Sequence, residues 1–297
     1  VVLAGGEGVR LRPLTRRLFG EPRPKQFCPL LGRRTLLGQT LDRVESTIPT
    51  ERTLVIGLES HAALLARDLG ERPRPTVLRQ PVSRGTAAAV LLAAQWIEAH
   101  DPGATVVYFP SDHFISHEDE FMAQVGEVAG FVQSRPQWIV LLGAPPDEPE
   151  VEYGWIRPGA LVDSSLRWPL HRVVRFQEKP SREAAQAMWR DGCLWNTLVF
   201  AASAAGLLAA GSECVPSLAA RLARLPAFWG GVHERWAMRH AYALAPTASF
   251  SRSVLEICTR PVAVSTLPAG AWRDVGSPER AIRAMATVAG GGRAWPS

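Results

Sequence analysis

The sequence predicts an α/β fold, a doubly wound and mostly parallel sheet bordered by a smaller lobe, on three observations. From Val1 to Gly143, short apolar runs alternate with amphipathic stretches of ten or more residues, the pattern of strands joined by crossover helices. The run Thr105–Phe109 contains no charged residue, as suits a central parallel strand buried on both faces. The stretch APPDEPEVE (144–152) then breaks the alternation, and a lobe from about Tyr153 to Phe200 is expected beyond it. With 297 residues and 46% hydrophobic content, the chain suffices for one domain over 1–297, with halves at 1–150 and 151–297.

Taken in order, Val1–Ala4 reads as the end of a buried strand, and Thr35–Ser46 as an amphipathic helix with Leu36, Leu37, Leu41 and Val44 inward. Thr53–Ile56 and Thr76–Leu78 read as short strands; between them His61–Leu69 is helical, with Gly70 as its stop. The loop QPVSRGT (80–86) leads into an Ala-rich helix ending near His100. Strand Thr105–Phe109 ends in PSDHF, so Asp112 lies beyond a strand's carboxyl end, where ligands of such sheets bind. Phe121–Val132 reads as a helix and Trp138–Gly143 as a strand. In the second half, Tyr153–Arg157, Arg172–Glu178, Leu194–Phe200 and Val262–Leu267 read as strands. Ser181 caps a short helix closed by Gly192, and residues 202–242 are helical with breaks at Pro216 and Pro226. The loop WRDVGS (272–277) precedes a last helix that starts at Pro278.

One stretch carries chemistry at once: LAGGEGVRLRPLTRRLFGEPRPKQF, residues 3–27. An apolar strand end breaks at Gly5, Gly6 and Gly8, where missing side chains let backbone N–H groups close on an anion. Arg10 adds a planar fork for phosphate oxygens, Pro13 and Thr15 are read as shaping the turn out, and Lys25 brings a point charge back. A dinucleotide fingerprint would need a third Gly where Leu11 stands, and no GKS or GKT follows the glycines. Of the 33 basic residues only Lys25 and Lys179 are lysine. A coding bias toward Arg explains most of that ratio, so a lysine that persists points to a place where a compact ammonium is needed.

The motifs GGEGVRLRPLT (5–15) and PKQF (24–27) resemble the signature of the sugar-phosphate nucleotidyltransferases, and Gln26–Phe27 is most similar to the mannose-1-phosphate guanylyltransferases among them. The resemblance implies a Rossmann-like nucleotidyltransferase fold of the GT-A-like kind. It also implies transfer of a nucleotidyl group from GTP to mannose 1-phosphate, giving a nucleotide sugar and pyrophosphate. Carried over by motif, Leu3, Ala4, Gly5, Gly6, Gly8, Arg10, Gln80, Gly85 and Thr86 would bind nucleotide, with Arg10, Lys25 and Asp112 catalytic. Asp112 and Asp274 would hold Mg2+, the hard-oxygen ligands such an ion takes, although each could instead cap a turn. Gly154, Glu178, Lys179 and Asn196 would bind the sugar phosphate. On this reading residues 1–150 form the nucleotide half and 151–297 the sugar-phosphate half. Two departures stand out: Thr197 and Leu198 replace a small residue and Gly after Trp195–Asn196, and Ser251–Arg252 stand where relatives carry an acidic residue. Glucose-1-phosphate thymidylyl or uridylyl transfer, or a silent nucleotide-sugar-binding regulator, remain alternatives.

The net charge of +5 comes from scattered basic residues, so small anionic substrates are expected and nucleic acid is not. No apolar run approaches ~20 residues and no signal segment is visible, which predicts a cytoplasmic protein without a membrane partner. A homodimer is left open. The cysteines at 28, 193, 214 and 258 show no metal-ligand or paired spacing, so reduced, packed thiols without zinc are expected.

Overall fold

In the computed structural model, which describes residues 1–70 and 74–290, the elements begin with β1 (Val2–Leu3), α1 (Arg12–Phe19), α2 (Leu36–Glu45), β2 (Leu54–Leu58), α3 (Ala62–Leu69) and β3 (Thr76–Gln80). Next come α4 (Gly85–His100), β4 (Thr105–Pro110), β5 (His113–Ile115), α5 (Glu118–Ser134), β6 (Ile139–Ala144), β7 (Gly154–Asp163) and β8 (Leu170–Glu178). The chain continues with α6 (Arg182–Arg190), β9 (Leu194–Ser203), α7 (Ala204–Cys214), α8 (Pro216–Leu222) and α9 (Glu234–Ala243). It closes with β10 (Val262–Thr266), β11 (Trp272–Asp274) and α10 (Pro278–Gly290). Local chemistry explains many of the boundaries. The hydroxyls of Thr35, Ser181 and Ser203 accept from Gly38, Ala184 and Gly206 N–H at the starts of α2, α6 and α7, satisfying donors that no helical carbonyl can reach.

Contacts group the chain into two units, each drawing on both sides of residue 150. The first comprises Val1–Arg79, Phe109–Glu118 and Ala271–Ser297. There β1 pairs in parallel with β2 (Leu3 opposite Ile56) and with the end of β4 (Leu3 opposite Pro110). A small antiparallel ribbon of β5 and β11 sets Asp274 opposite His113. Its core packs Leu11, Cys28, Leu30, Leu31 and Leu36 against Val275, Ala281 and Ala284 of the C-terminal segment.

The second unit comprises Gln80–Tyr108 and Asp119–Gly270. Here β9 runs antiparallel to both β4 and β6, β10 is parallel to β6 and antiparallel to β8, and β7 pairs with β8 and β9 in antiparallel fashion. The expected mostly parallel sheet is therefore corrected: pairing is parallel around β1, and the sheet is mixed beyond it. The cause is topological. β7 and β8 follow each other as a hairpin, which must be antiparallel, and beyond Ile156 no residue of β7 is buried.

Two local expectations change as well. Residues 12–19 form a helix instead of a turn, with Pro13 in its first turn and Gly20 (φ 77°) ending it, positions that suit both residues. The ribbon β5–β11 was not expected, because three-residue strands leave too short a pattern to read. Among the described residues, no helix is long and apolar enough to cross a membrane.

Candidate active site

The glycine turn leaves β1 beside the segment that leaves β4, because parallel pairing brings both carboxyl ends to one edge. Ser111 fastens them: its N–H and its hydroxyl both donate to the Leu3 carbonyl, at 3.2 and 2.7 Å. Gly8 has φ 58°, and a Cβ there would lie 2.9 Å from the Lys25 nitrogen, so the position needs glycine for both conformation and space. Gln26, buried, donates from Nε2 to the carbonyls of Ala4 and Gly6 at 3.0 and 2.7 Å. Its side chain thus holds the turn's shape.

Lys25 is the hub of the charges. Its Nζ lies 3.2 Å from Asp112 Oδ2 and 3.0 Å from Asp274 Oδ1, with 12% of the side chain exposed. Arg280, in the first turn of α10, takes the other Asp274 oxygen at 2.7 Å. Burial by itself lowers the Lys25 pKa, but the two carboxylates outweigh it and hold the ammonium above its ordinary value. For Asp274 burial pushes upward, and Lys25, His113 and Arg280 overcome it, so the carboxylate stays ionised well below the usual range. His113 points Nε2 at Asp112 Oδ1, 3.6 Å away, and accepts the indole N–H of Trp272 on Nδ1 at 3.1 Å. An indole only donates, so Nδ1 carries no proton and the ring is the neutral Nε2–H form, in keeping with burial lowering its pKa. A pocket of about 250 Å³ opens here, lined by Gly8, Val9, Arg10, Leu11, Lys25, Asp112 and Gly276.

Gly5, Gly6, Gly8, Arg10, Lys25, Asp112 and Asp274 therefore gather in the first unit, with Leu3 and Ala4 at the strand end beneath them. Reading the sequence alone missed Gln26's bracing role, the Trp272–His113 pair and Arg280; among so many arginines, nothing in the sequence singled out Arg280. The two carboxylates converge on one cation position, held by Lys25. Two hard oxygens beside this pocket are a donor set that suits magnesium, with phosphate and water completing its shell.

The remaining predicted residues lie in the second unit, in two groups. At the start of α4, Gly85 has φ 81°, and a Cβ would collide with the Ala248 carbonyl oxygen. Thr86 Oγ1 accepts from Phe250 N–H at 2.8 Å, and Gln80 is buried with its Oε1 accepting from Tyr242 Oη at 3.1 Å. In the other group, Gly154 faces Glu178 across β7–β8, and its missing Cβ would fall 2.7 Å from Glu178 Oε2 and 3.3 Å from Asn196 Cβ. Asn196 accepts the Leu198 N–H at 3.1 Å and donates to Ser251 Oγ at 3.4 Å. Burial raises the Glu178 pKa against the opposing pull of Lys179 and Arg252. Lys179 has φ 51° and reaches Glu152 at 3.3 Å in the open. The segment 248–252 touches both groups, through Ala248 and Phe250 on one side and Ser251 and Arg252 on the other.

A glycine turn at a parallel strand end, with a buried lysine and two carboxylates beside an open pocket, is the arrangement of an α/β protein that handles phosphate-bearing ligands. Residues 1–290 match the family described as Nucleotidyl transferase, and the chain belongs to it. It is 35% identical over 205 residues to mannose-1-phosphate guanylyltransferase of Escherichia coli strain K12, covering 67% of this chain and 41% of that protein. It is 32% identical over 284 residues to the xanthan biosynthesis protein XanB of Xanthomonas campestris pv. campestris strain B100, covering 93% and 57%. The chain spans about half the length of these curated relatives. A solved structure described as mannose-1-phosphate geranyltransferase from Thermus thermophilus is 33% identical with a TM-score of 0.78, over 93% of this chain and 75% of that one. A UDP-glucose pyrophosphorylase, 16% identical with a TM-score of 0.58 over 96% of each chain, shares the fold.

Proposed function

We propose that the chain transfers a guanylyl group from GTP to mannose 1-phosphate, forming GDP-mannose and pyrophosphate. The observation that carries the reaction type is the Lys25–Asp112–Asp274 cluster beside the glycine turn. The choice of base and sugar is supported by the activity named for the relatives and by the resemblance that Gln26–Phe27 carries.

In this reading an oxygen of the sugar 1-phosphate attacks the α-phosphorus, the bond to the bridging oxygen breaks, and pyrophosphate leaves. The nucleophile is already ionised at neutral pH, so the site needs no general base, and the neutral His113 is not asked to serve as one. Asp112 and Asp274 would hold magnesium, which when bound supplies positive charge to the triphosphate. Arg10 and Lys25 bind and orient phosphate oxygens, and the backbone of Gly5–Gly8 closes on them. In the second unit Gln80, Gly85 and Thr86 receive base and ribose. Gly154, Glu178 and Asn196 take the sugar hydroxyls, and Lys179 takes the sugar phosphate. Pyrophosphate release measured across a matrix of nucleoside triphosphates and sugar 1-phosphates tests it. The expected maximum is GTP with mannose 1-phosphate in the presence of magnesium. A maximum with UTP or dTTP and glucose 1-phosphate would overturn the substrates and keep the chemistry; release with no pair would sink both.

A further inference from the structure

The sequence spacing of the cysteines shows no metal pattern, yet the fold of the second unit assembles one. Cys214 is the last residue of α7, Glu213 precedes it, and Cys258 lies just beyond a π-turn at Ser251–Leu255. One ligand atom from each of the three lies within 4.8 Å of the other two. On a tetrahedral ion with Zn–S near ~2.3 Å, two thiolate sulfurs sit on the order of 4 Å apart, so the spacing accommodates a shared ion. The carboxylate is also oriented: Glu213 Oε1 accepts from Thr259 N–H at 3.1 Å and from Thr259 Oγ1 at 2.7 Å, the kind of bracing that supports metal ligands. No basic residue occupies the last turn of α7, and although the Arg260 charge acts on Glu213 from outside the helix, the carboxylate and both thiols stand at the helix's negative end, where a cation is favoured.

We propose that Glu213, Cys214 and Cys258 bind one thiophilic divalent cation of the zinc class, separate from the residues assigned to nucleotidyl transfer. Two sulfur donors and one oxygen select such an ion over magnesium or calcium. Binding releases two protons as both thiols become thiolates on the metal.

The test uses the reduced full chain after chelator treatment, titrated with cobalt(II) and then zinc. One equivalent of cobalt(II) should give a thiolate charge-transfer band that zinc abolishes. Cys214→Ser and Cys258→Ser should each remove the band, and Thr259→Val, which removes the hydroxyl bond to Glu213 and leaves the backbone N–H bond, should weaken binding by up to roughly 10-fold. A second measurement needs no variant: zinc should shield Cys214 and Cys258 from alkylation and leave the labelling of Cys28 and Cys193 unchanged. The proposal is overturned by a missing band, by a band that survives in both serine variants, or by a Cys214–Cys258 disulfide that forms equally fast with and without zinc.

Discussion

The two lysines of this chain occupy opposite electrostatic settings. Lys25 is nearly enclosed and shared by two carboxylates, one of which is also held by Arg280. Lys179 is 44% exposed, pairs with an equally exposed Glu152, and sits in left-handed backbone at φ 51°. The first lysine is required by its charged neighbours before any ligand arrives. The second pairs in the open, where an ion pair adds little, and its left-handed backbone must be offset elsewhere in the structure, as is common at ligand sites. Charge at the glycine turn is thus tied to its partly buried carboxylate partners, whereas charge at Lys179 stands in the open beside Glu152.

The sharpest way to break this contrast is Lys25→Met. With the ammonium gone, two partly buried carboxylates face each other, and unfolding free energy should drop by about 3–5 kcal/mol in denaturant titrations without divalent metal. Added magnesium should restore part of the loss if the carboxylates form its site, whereas a variant as stable as the parent would show that Lys25 is not structural. Lys25→Arg keeps the charge but broadens it, and turnover should fall by roughly 100-fold. Lys179→Arg should instead raise the KM for the sugar 1-phosphate with kcat nearly intact, and equal kinetic effects of the two variants would erase the distinction.

Backbone changes in the second unit should have smaller effects. Gly85→Ala forces a Cβ onto the Ala248 carbonyl at positive φ, so a loss of about 2 kcal/mol is expected, read by thermal or chemical unfolding. Lys179→Ala should change stability by less than about 0.5 kcal/mol; a larger shift in the denaturation midpoint would mean that the exposed lysine does hold the fold. Leu198→Gly comes last. Leu198 has φ 58° at the irregularity where β9 slips against β6, so losing part of its packing is offset by released strain, and a net change within about 1 kcal/mol follows. An ordinary loss of several kcal/mol would show the leucine to be unstrained.

Leu198 also marks the boundary between what could be read and what could not. That a leucine follows Thr197 is visible in the sequence, but the positive φ that gives the leucine a cost exists only in the folded strand. By itself the sequence determined the glycine turn with Arg10 and Lys25, the strand end carrying Asp112, and the amphipathic helices through their periodicity, with Ser181 capping one of them, because each depends on neighbours a few residues away. The family followed from those same local motifs. Only the tertiary structure decided that β9 enters antiparallel and makes the sheet mixed, since pairing direction depends on contacts far apart along the chain. It also decided that β5 and β11 bring Asp274 to Asp112, that Arg280 and Gln26 brace the site, and that segment 248–252 meets both groups of the second unit. Three-residue strands and lone charged side chains leave no periodic trace, and the energy that places them comes from partners supplied by distant parts of the chain.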